Sequence, residues 1–440
     1  MMKLFKKSIM IGIIMTAVLS LTACGGSKSK GAKDGNVTIR LLTRMAGTSP
    51  QVDIYKDVIK QFEKDYPDVE VIDESQGDEG SYNNKLKTSR ASGDLPNIFR
   101  VQGVANLGEY IDNNLVMNMD ETLKGDKEWA DGFTEGALNY YQVPGYDGTY
   151  AIPMESGLIG MYYNEKLFKE AGINEFPETW SQFKETIKKL NAKGIVPMSM
   201  GAKAAYKAGH LHNSIFYHWL GTEAAKDLGT GKLKWTDPEV VKTIEYVKEL
   251  VDLKAWDKNA AGIDDNVALT SFLDGETAMI LTGPWDGDGF MDKEKTEYTD
   301  SIKLAKFPYF EEKPEFKNND MQVVSPYMVN GKLEGKDKDY TIELLKRLTS
   351  KEVAERYAEE ANFIVPRTDM EIDKDKVSPL FLRNLELSGT SDHLAVDVFD
   401  YDKVQSMQDR TRNSLVGVLT GDSPEQAAKD IQAERDKNVK

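Results

Sequence analysis

Between Val37 and Ile72 the chain reads strand, helix, strand, and this run constrains the fold more than any other feature of the sequence. Val37-Thr38-Ile39-Arg40-Leu41-Leu42-Thr43 is β-branched and apolar. Tyr55, Val58, Ile59, Phe62 and Tyr66 follow at the three-and-four spacing of a helical stripe, and Val69 to Ile72 resumes the extended pattern. Two strands and a helix in about 36 residues make a βαβ unit, whose crossover requires a parallel sheet. The alternation returns later. Thr179-Trp180-Ser181-Gln182 is a capping box opening a helix whose inner stripe is Trp180, Phe183, Ile187 and Leu190, with Gly194 placed to end it. Asp237-Pro238 and Ser423-Pro424 are further N-cap starts with proline at the first helical position, the latter completed by Gln426. No repeat of solenoid or propeller length is present. The fold class is α/β.

With 440 residues the chain is long enough for more than one domain. Two stretches rich in Pro, Gly and aromatic residues, 141–148 and 307–314, interrupt the regular segments, and 361–366 is a third. Three crossings imply two lobes, each assembled from separate stretches. The expected partition is 37–147 with 310–362 for an N-terminal lobe, and 148–309 with 363–440 for a C-terminal lobe.

Residues 1–23 stand apart from the fold. Lys3, Lys6 and Lys7 precede an apolar run, Ile9 to Leu21, of 13 residues. That is short of the roughly 20 residues a helix needs to span a bilayer, so the run reads as an export signal. Leu21-Thr22-Ala23-Cys24 resembles a bacterial lipobox, and the resemblance implies a lipid on Cys24, which would become the mature N-terminus. Behind it, 24–36 is a Gly/Ser/Lys tether. One cysteine forms no intramolecular disulfide and no thiolate zinc cage. The net charge of −16 offers no footprint for nucleic acid or anionic lipid, which are bound by excess Lys and Arg.

Three blocks carry a more specific resemblance. The first joins Tyr150-Ala151-Ile152-Pro153-Met154, Tyr162-Tyr163-Asn164-Glu165-Lys166-Leu167-Phe168, Ala171-Gly172 and Pro177-Glu178-Thr179-Trp180. The second runs from Phe272-Leu273-Asp274-Gly275-Glu276-Thr277-Ala278-Met279 to Gly283-Pro284-Trp285. The third is Gly93-Asp94-Leu95-Pro96-Asn97, where the family usually has Pro-Asp. Together they resemble the family 1 extracellular solute-binding proteins, the sugar receptors of ATP-driven importers. The resemblance implies a two-lobe, periplasmic-binding-protein-like fold with a hinge. It also implies a sugar held in the interlobe cleft, no enzymatic activity and no cofactor. A membrane permease and its ATPase subunits would be partners of a monomer anchored on the extracytoplasmic face. The chain carries no G-x-x-x-x-G-K-[ST] phosphate loop to power transport itself.

A sugar offers polarised C–H faces and a rim of hydroxyls, so its site calls for flat aromatic surfaces and polar side chains around them. Trp285 follows a strand over 277–282 through Gly283-Pro284, and the family's matching tryptophan stacks on sugar; the competing reading is a core tryptophan. Tyr206, Tyr217 and Trp219 lie in a stretch, 203–220, without acidic residues, which suits an aromatic platform or, with Phe216 and Leu220, the inner face of a helix. Trp180 sits in a helical stripe and belongs to the core. Arg44, Arg100 and Gln102 follow expected strands, where side chains open into a cleft or simply end a strand. Glu155 follows the 151–154 strand and is a candidate acceptor of hydroxyl hydrogens. Asp286 and Asp288 complete the rim or solvate the turn. Asp392 and His393, in the polar loop 389–393, pair an acceptor with a donor or form an exposed turn, and Arg412 is a weaker candidate.

Rival readings use the same residues. His210, His212 and His218 prompt a metal receptor, but no acid lies between 203 and 222 to join them. Glu155, Asp286 and Asp392 prompt a glycosidase, whose carboxylates need a defined separation that sequence does not set. Peptide and polyamine receptors share the fold class.

Overall fold

A computed structural model describes residues 37–438, apart from 105, 106, 144 and 405. The export signal, the tether and Cys24 lie outside the described residues. Among the described residues ten strands are formed: β1 (Val37–Leu42), β2 (Val69–Asp73), β3 (Ile98–Phe99), β4 (Ile152–Leu158), β5 (Gly160–Asn164), β6 (Val196–Ser199), β7 (Thr277–Thr282), β8 (Ile302–Ala305), β9 (Asn319–Val329) and β10 (His393–Ala395). They make two sheets, ordered β10-β9-β3-β1-β2, with β4 also on β9, and β6-β7-β5-β8.

The opening βαβ unit forms as the sequence pattern requires. β1 pairs in parallel with β2, from Val37 opposite Val69 to Leu41 opposite Asp73, and with β3 on its other edge. The connecting helix Pro50–Asp65 buries Ile54, Tyr55, Val58, Ile59 and Phe62 against the sheet. Its stripe joins Ile39, Leu41, Tyr327, Leu344 and Tyr357 in one core, while Leu42, Phe99, Tyr141 and Met328 build another on the opposite sheet face. Burial on both faces is the normal condition of parallel strands. In the second lobe the capping box at Thr179 forms both of its reciprocal bonds, and Trp180 is buried against Phe307 and Phe310.

The chain passes between lobes in three places. β4 and β9 run antiparallel across the junction, with Ile152 opposite Tyr327 in the first lobe and Leu158 opposite Gln322 near the second. The third pass lies between helix Lys351–Ala361 and helix Pro379–Gly389, where Ser156 donates to the Ile364 carbonyl at 3.0 Å. Each exchange falls later than the sequence partition set it. Ile152 and Met154 pack in the first-lobe core, Phe310 and Met321 in the second, and Phe363 and Val365 in the first. At the first two passes the reason is that the long strands β4 and β9, not the aromatic loops before them, carry the crossing. The stretch around 141–148 is instead tied into the first lobe, with Tyr141 donating to the Val324 carbonyl at 2.7 Å.

Candidate functional site

The cleft between lobes is floored by the crossing strands. Glu155 lies inside β4, not after a strand end, at the point where the register with β9 shifts between Pro153 and Glu155. A bulge re-aims a side chain, and Glu155, 5% exposed, faces the Ser325 hydroxyl with Oε1 free of hydrogen-bond partners. Burial pushes its carboxyl up to about 7, against the opposing pull of Arg100 and Ser325. Arg100 donates to Gln102 Oε1 at 2.7 Å and reaches Ser325 Oγ at 3.4 Å, and Gln102 Nε2 donates to the Val324 carbonyl at 3.2 Å. These three side chains form one network at the base of the cleft.

Arg44 leaves the end of β1 and is half-buried. It donates to the Gly77 carbonyl at 2.9 Å, while its Nε is buried without a partner. Burial and the neighbouring Arg100 hold its pKa below the usual guanidinium value, offset in part by Glu79 and by Tyr206. Tyr206 belongs to the second lobe, so the two lobes are close enough for Arg44 to sense it across the cleft.

The second-lobe wall is built on the first turns of helix Tyr206–Leu220 and on the turn after β7. β7 runs straight into Gly283 and the single 3-10 turn Pro284–Asp286, which turns Trp285 out of the sheet. Its half-buried indole lies 6.2 Å from the His210 ring, and His210 lies 5.1 Å from Tyr206. Burial, with Arg412 and Lys207 nearby, keeps the His210 imidazole well below its usual pKa and neutral, and its Nδ1 has no partner. Tyr206 donates to Asp265 Oδ2, and Thr282 Oγ1 donates to Asp286 Oδ2 at 2.7 Å. Burial raises Asp286 to about 6, with Lys207 pulling the other way and Asp265 adding to the rise. Asp288 is turned toward Lys295, 4.0 Å away.

Of a third wall, only Arg412 was named from the sequence. After β10 the chain returns along β9 and places Asp397 and Asp400 beside the junction. Asn213 donates to Asp397 Oδ1 at 2.6 Å, and Arg412 reaches its Oδ2 at 3.4 Å from above the Phe399 ring. Asn213 Oδ1, Arg412 Nε and Asp400 Oδ1 are buried without partners. Gly103, at φ +79°, brings the first lobe against this segment, since a Cβ there would stand 2.3 Å from Asp400 Oδ1. Lys207 and Asp265 were also missed. The available signal was a lysine standing, apart from the histidines, as the single charged residue of the stretch 206–220.

Four sequence candidates lie elsewhere. Tyr217 is fully buried and donates to the Val396 carbonyl, so both its face and its hydroxyl are consumed by the core. Trp219, 8% exposed, packs edge-on to Tyr246 and Phe310 at 5.1 Å each and donates to Glu239 at 3.2 Å. It stands about 20 Å along the helix from Tyr206 at 1.5 Å per residue. Asp392 and His393 are exposed at the start of β10, where His393 pairs with Asn319 and Asp392 accepts from Asn318 at 3.1 Å. Six residues of extended β9 separate that end from Ser325, about 20 Å. Without Asp392, the carboxylates weighed for hydrolysis reduce to Glu155 and Asp286. His210, His212 and His218 do not converge: His212 bonds Thr243 at 2.9 Å and His218 the Ser214 carbonyl at 2.9 Å. Among the described residues no group of three or more His, Cys, Asp or Glu is arranged to hold a metal.

Comparison with known proteins agrees with this architecture. The chain matches the bacterial extracellular solute-binding protein family over residues 47–355. It is 27% identical over 293 residues to the multiple sugar-binding protein of Streptococcus mutans, covering 64% of this chain and 66% of that one. To the arabinooligosaccharide-binding protein of Bacillus subtilis it is 24% identical over 288 residues, covering 64% and 62%. These matches span just under two thirds of the relatives' lengths. Among solved structures, a chitin oligosaccharide binding protein superposes with a TM-score of 0.82 at 24% identity, covering 91% of this chain and 98% of that one. Maltose-bound MalE3 of T. maritima superposes with a TM-score of 0.74 at 18% identity, covering 92% and 100%. At those identities the structures establish the two-lobe α/β fold. A family match over more than half of the chain establishes the rest: this protein belongs to the bacterial extracellular solute-binding proteins, a family that binds its solutes rather than transforming them.

Proposed function

We propose that this chain is the sugar-binding component of an ABC importer, taking an oligosaccharide into the interlobe cleft by hinge closure and delivering it to a membrane permease. The observation that carries the reading is the pairing of a half-buried indole, Trp285, with buried polar atoms that lack partners: Glu155 Oε1, Arg44 Nε, His210 Nδ1, Asn213 Oδ1 and Arg412 Nε. Buried polar atoms are ordinarily satisfied, and a sugar's hydroxyls both donate and accept. Relatives named for multiple sugars and for arabinooligosaccharides, and similar folds named for chitin oligosaccharides and maltose, support a carbohydrate over a peptide or polyamine. Closing favours the bound state because residues of both lobes then reach the solute together. Trp285, Tyr206, Glu155, Arg44, Arg100, Gln102 and Asp286 are the contacts we assign, joined by His210, Asn213 and Arg412. The lipobox resemblance at Cys24 supports a lipid-anchored monomer on the extracytoplasmic face, with ATPase subunits on the other side of the permease.

The test is a titration of intrinsic tryptophan fluorescence, followed by calorimetry, against glycans, amino acids, peptides, polyamines and divalent metals. Saturable binding of an oligosaccharide is expected. A response only to one of the other classes overturns the sugar assignment, and turnover of the glycan overturns the binding role.

A further inference from the structure

Lys207 is 5% exposed, the second residue of helix Tyr206–Leu220, and it meets both the helix side and the β7-turn side of the second-lobe wall. Its Nζ donates to Thr282 Oγ1 at 3.0 Å and pairs with Asp265 Oδ1 at 3.2 Å. The same ammonium stands 5.3 Å from the Tyr206 ring centroid and 5.9 Å from that of Trp285. Its two polar partners lead to the two aromatic groups. Asp265 accepts the Tyr206 hydroxyl, and Thr282 donates to Asp286 on the turn that carries Trp285.

We infer that Lys207 is a positioning residue: it locks Tyr206 and Trp285 into one aromatic wall by pinning helix Tyr206–Leu220 to the β7 turn. The inference rests on the reading above that this wall receives the solute, and it goes beyond it by assigning the wall's geometry to a residue beneath it. Two physical effects act together. The ammonium is attracted to both ring faces, an interaction that strengthens as water is removed. It also balances Asp265 and Asp286, which otherwise repel one another across the joint. A buried ion pair is a poor source of stability but an effective source of a single defined arrangement. Nothing else among the described contacts ties the 206–210 turn to Thr282 and Asp286 by a charge.

The test uses the mature protein with Lys207→Met, Lys207→Met/Asp265→Asn and Trp285→Phe. In Lys207→Met the glycan affinity is expected to fall about tenfold, the scale of a desolvated cation–π contact and its ion pair. The double variant removes the stranded carboxylate as well and is expected to be folded and to recover part of that loss. A second readout is independent of any glycan. Iodide quenching of the Trp285 component, isolated by difference from Trp285→Phe, should change in Lys207→Met while overall circular dichroism does not. Wild-type affinity and unchanged quenching in Lys207→Met overturn the inference. So does a double variant no better than the single one, which would make Lys207 a direct contact and not a positioning residue. If no glycan binds the wild type, the sugar reading fails, and the quenching arm still decides the role of Lys207.

Discussion

Tyr140 of the first lobe donates its phenolic hydrogen to the Asp400 carboxylate of the second at 2.5 Å, beside the junction of the lobes. Asp400 sits among Tyr140, Tyr141, Tyr217 and Tyr401, with Asp397 as its acidic neighbour and Arg412 as its cationic one. Burial, aided by Asp397, raises its carboxyl to about 8, while Tyr140 and Arg412 act in the opposite sense. An unfolded Asp titrates near about 3.9. A carboxyl whose folded pKa is the higher contributes stability that is fully present below the unfolded value and is lost as pH rises through the folded one. Melting temperature is therefore expected to fall between about pH 4 and pH 8, and to fall less in Asp400→Asn. Parallel curves for the two proteins would remove Asp400 as the source.

Trp285 is the aromatic face that the cleft leaves half-buried. Trp285→Ala is expected to weaken glycan binding by roughly 2 to 4 kcal/mol, as removal of a central aromatic anchor does. Calorimetry on a folded mutant with unchanged affinity would exclude it from the site.

If Glu155 accepts a sugar hydroxyl as proposed, binding is expected to depend on pH through its carboxyl. Its carboxyl titrates at about 7 because it is buried, and a sugar hydroxyl donating to Oε1 favours the ionised form. Bound solute should then lower that pKa, so affinity rises as pH rises through about 7. Glu155→Gln should flatten the step. Affinity that falls with pH in the wild type would contradict hydroxyl donation to this carboxylate.

Tyr217 separates core from site. Tyr217→Phe strands the Val396 carbonyl and is expected to cost about 1 kcal/mol or more of stability, with glycan affinity unchanged. Loss of affinity without loss of stability would return Tyr217 to the cleft.

Cys24→Ser tests the anchor. The variant is expected in the medium or as uncleaved precursor, and membrane fractionation like that of the wild type would refute lipidation.

The fold was legible because it rests on local periodicity. The stripe Tyr55, Val58, Ile59 and Phe62 between two apolar strands admits little but a parallel βαβ unit, and the Thr179–Gln182 box announces its helix without help from distant residues. Trp285, Tyr206, Arg44, Arg100 and Gln102, the contacts proposed here, could be named from positions at strand ends or in an aromatic-rich stretch. Tertiary structure decided the remainder. Helix Tyr206–Leu220 is buried nearly all round, so its sequence could not tell the end that faces the cleft from the end, with Tyr217 and Trp219, that fills the core. Asp397 and Asp400 follow β10 to the junction, and β10 joins the edge of β9 by a pairing between residues more than seventy positions apart. Periodicity reports which face of an element is covered; what covers it, and whether polar atoms there find partners, depends on segments that meet only when the chain has folded.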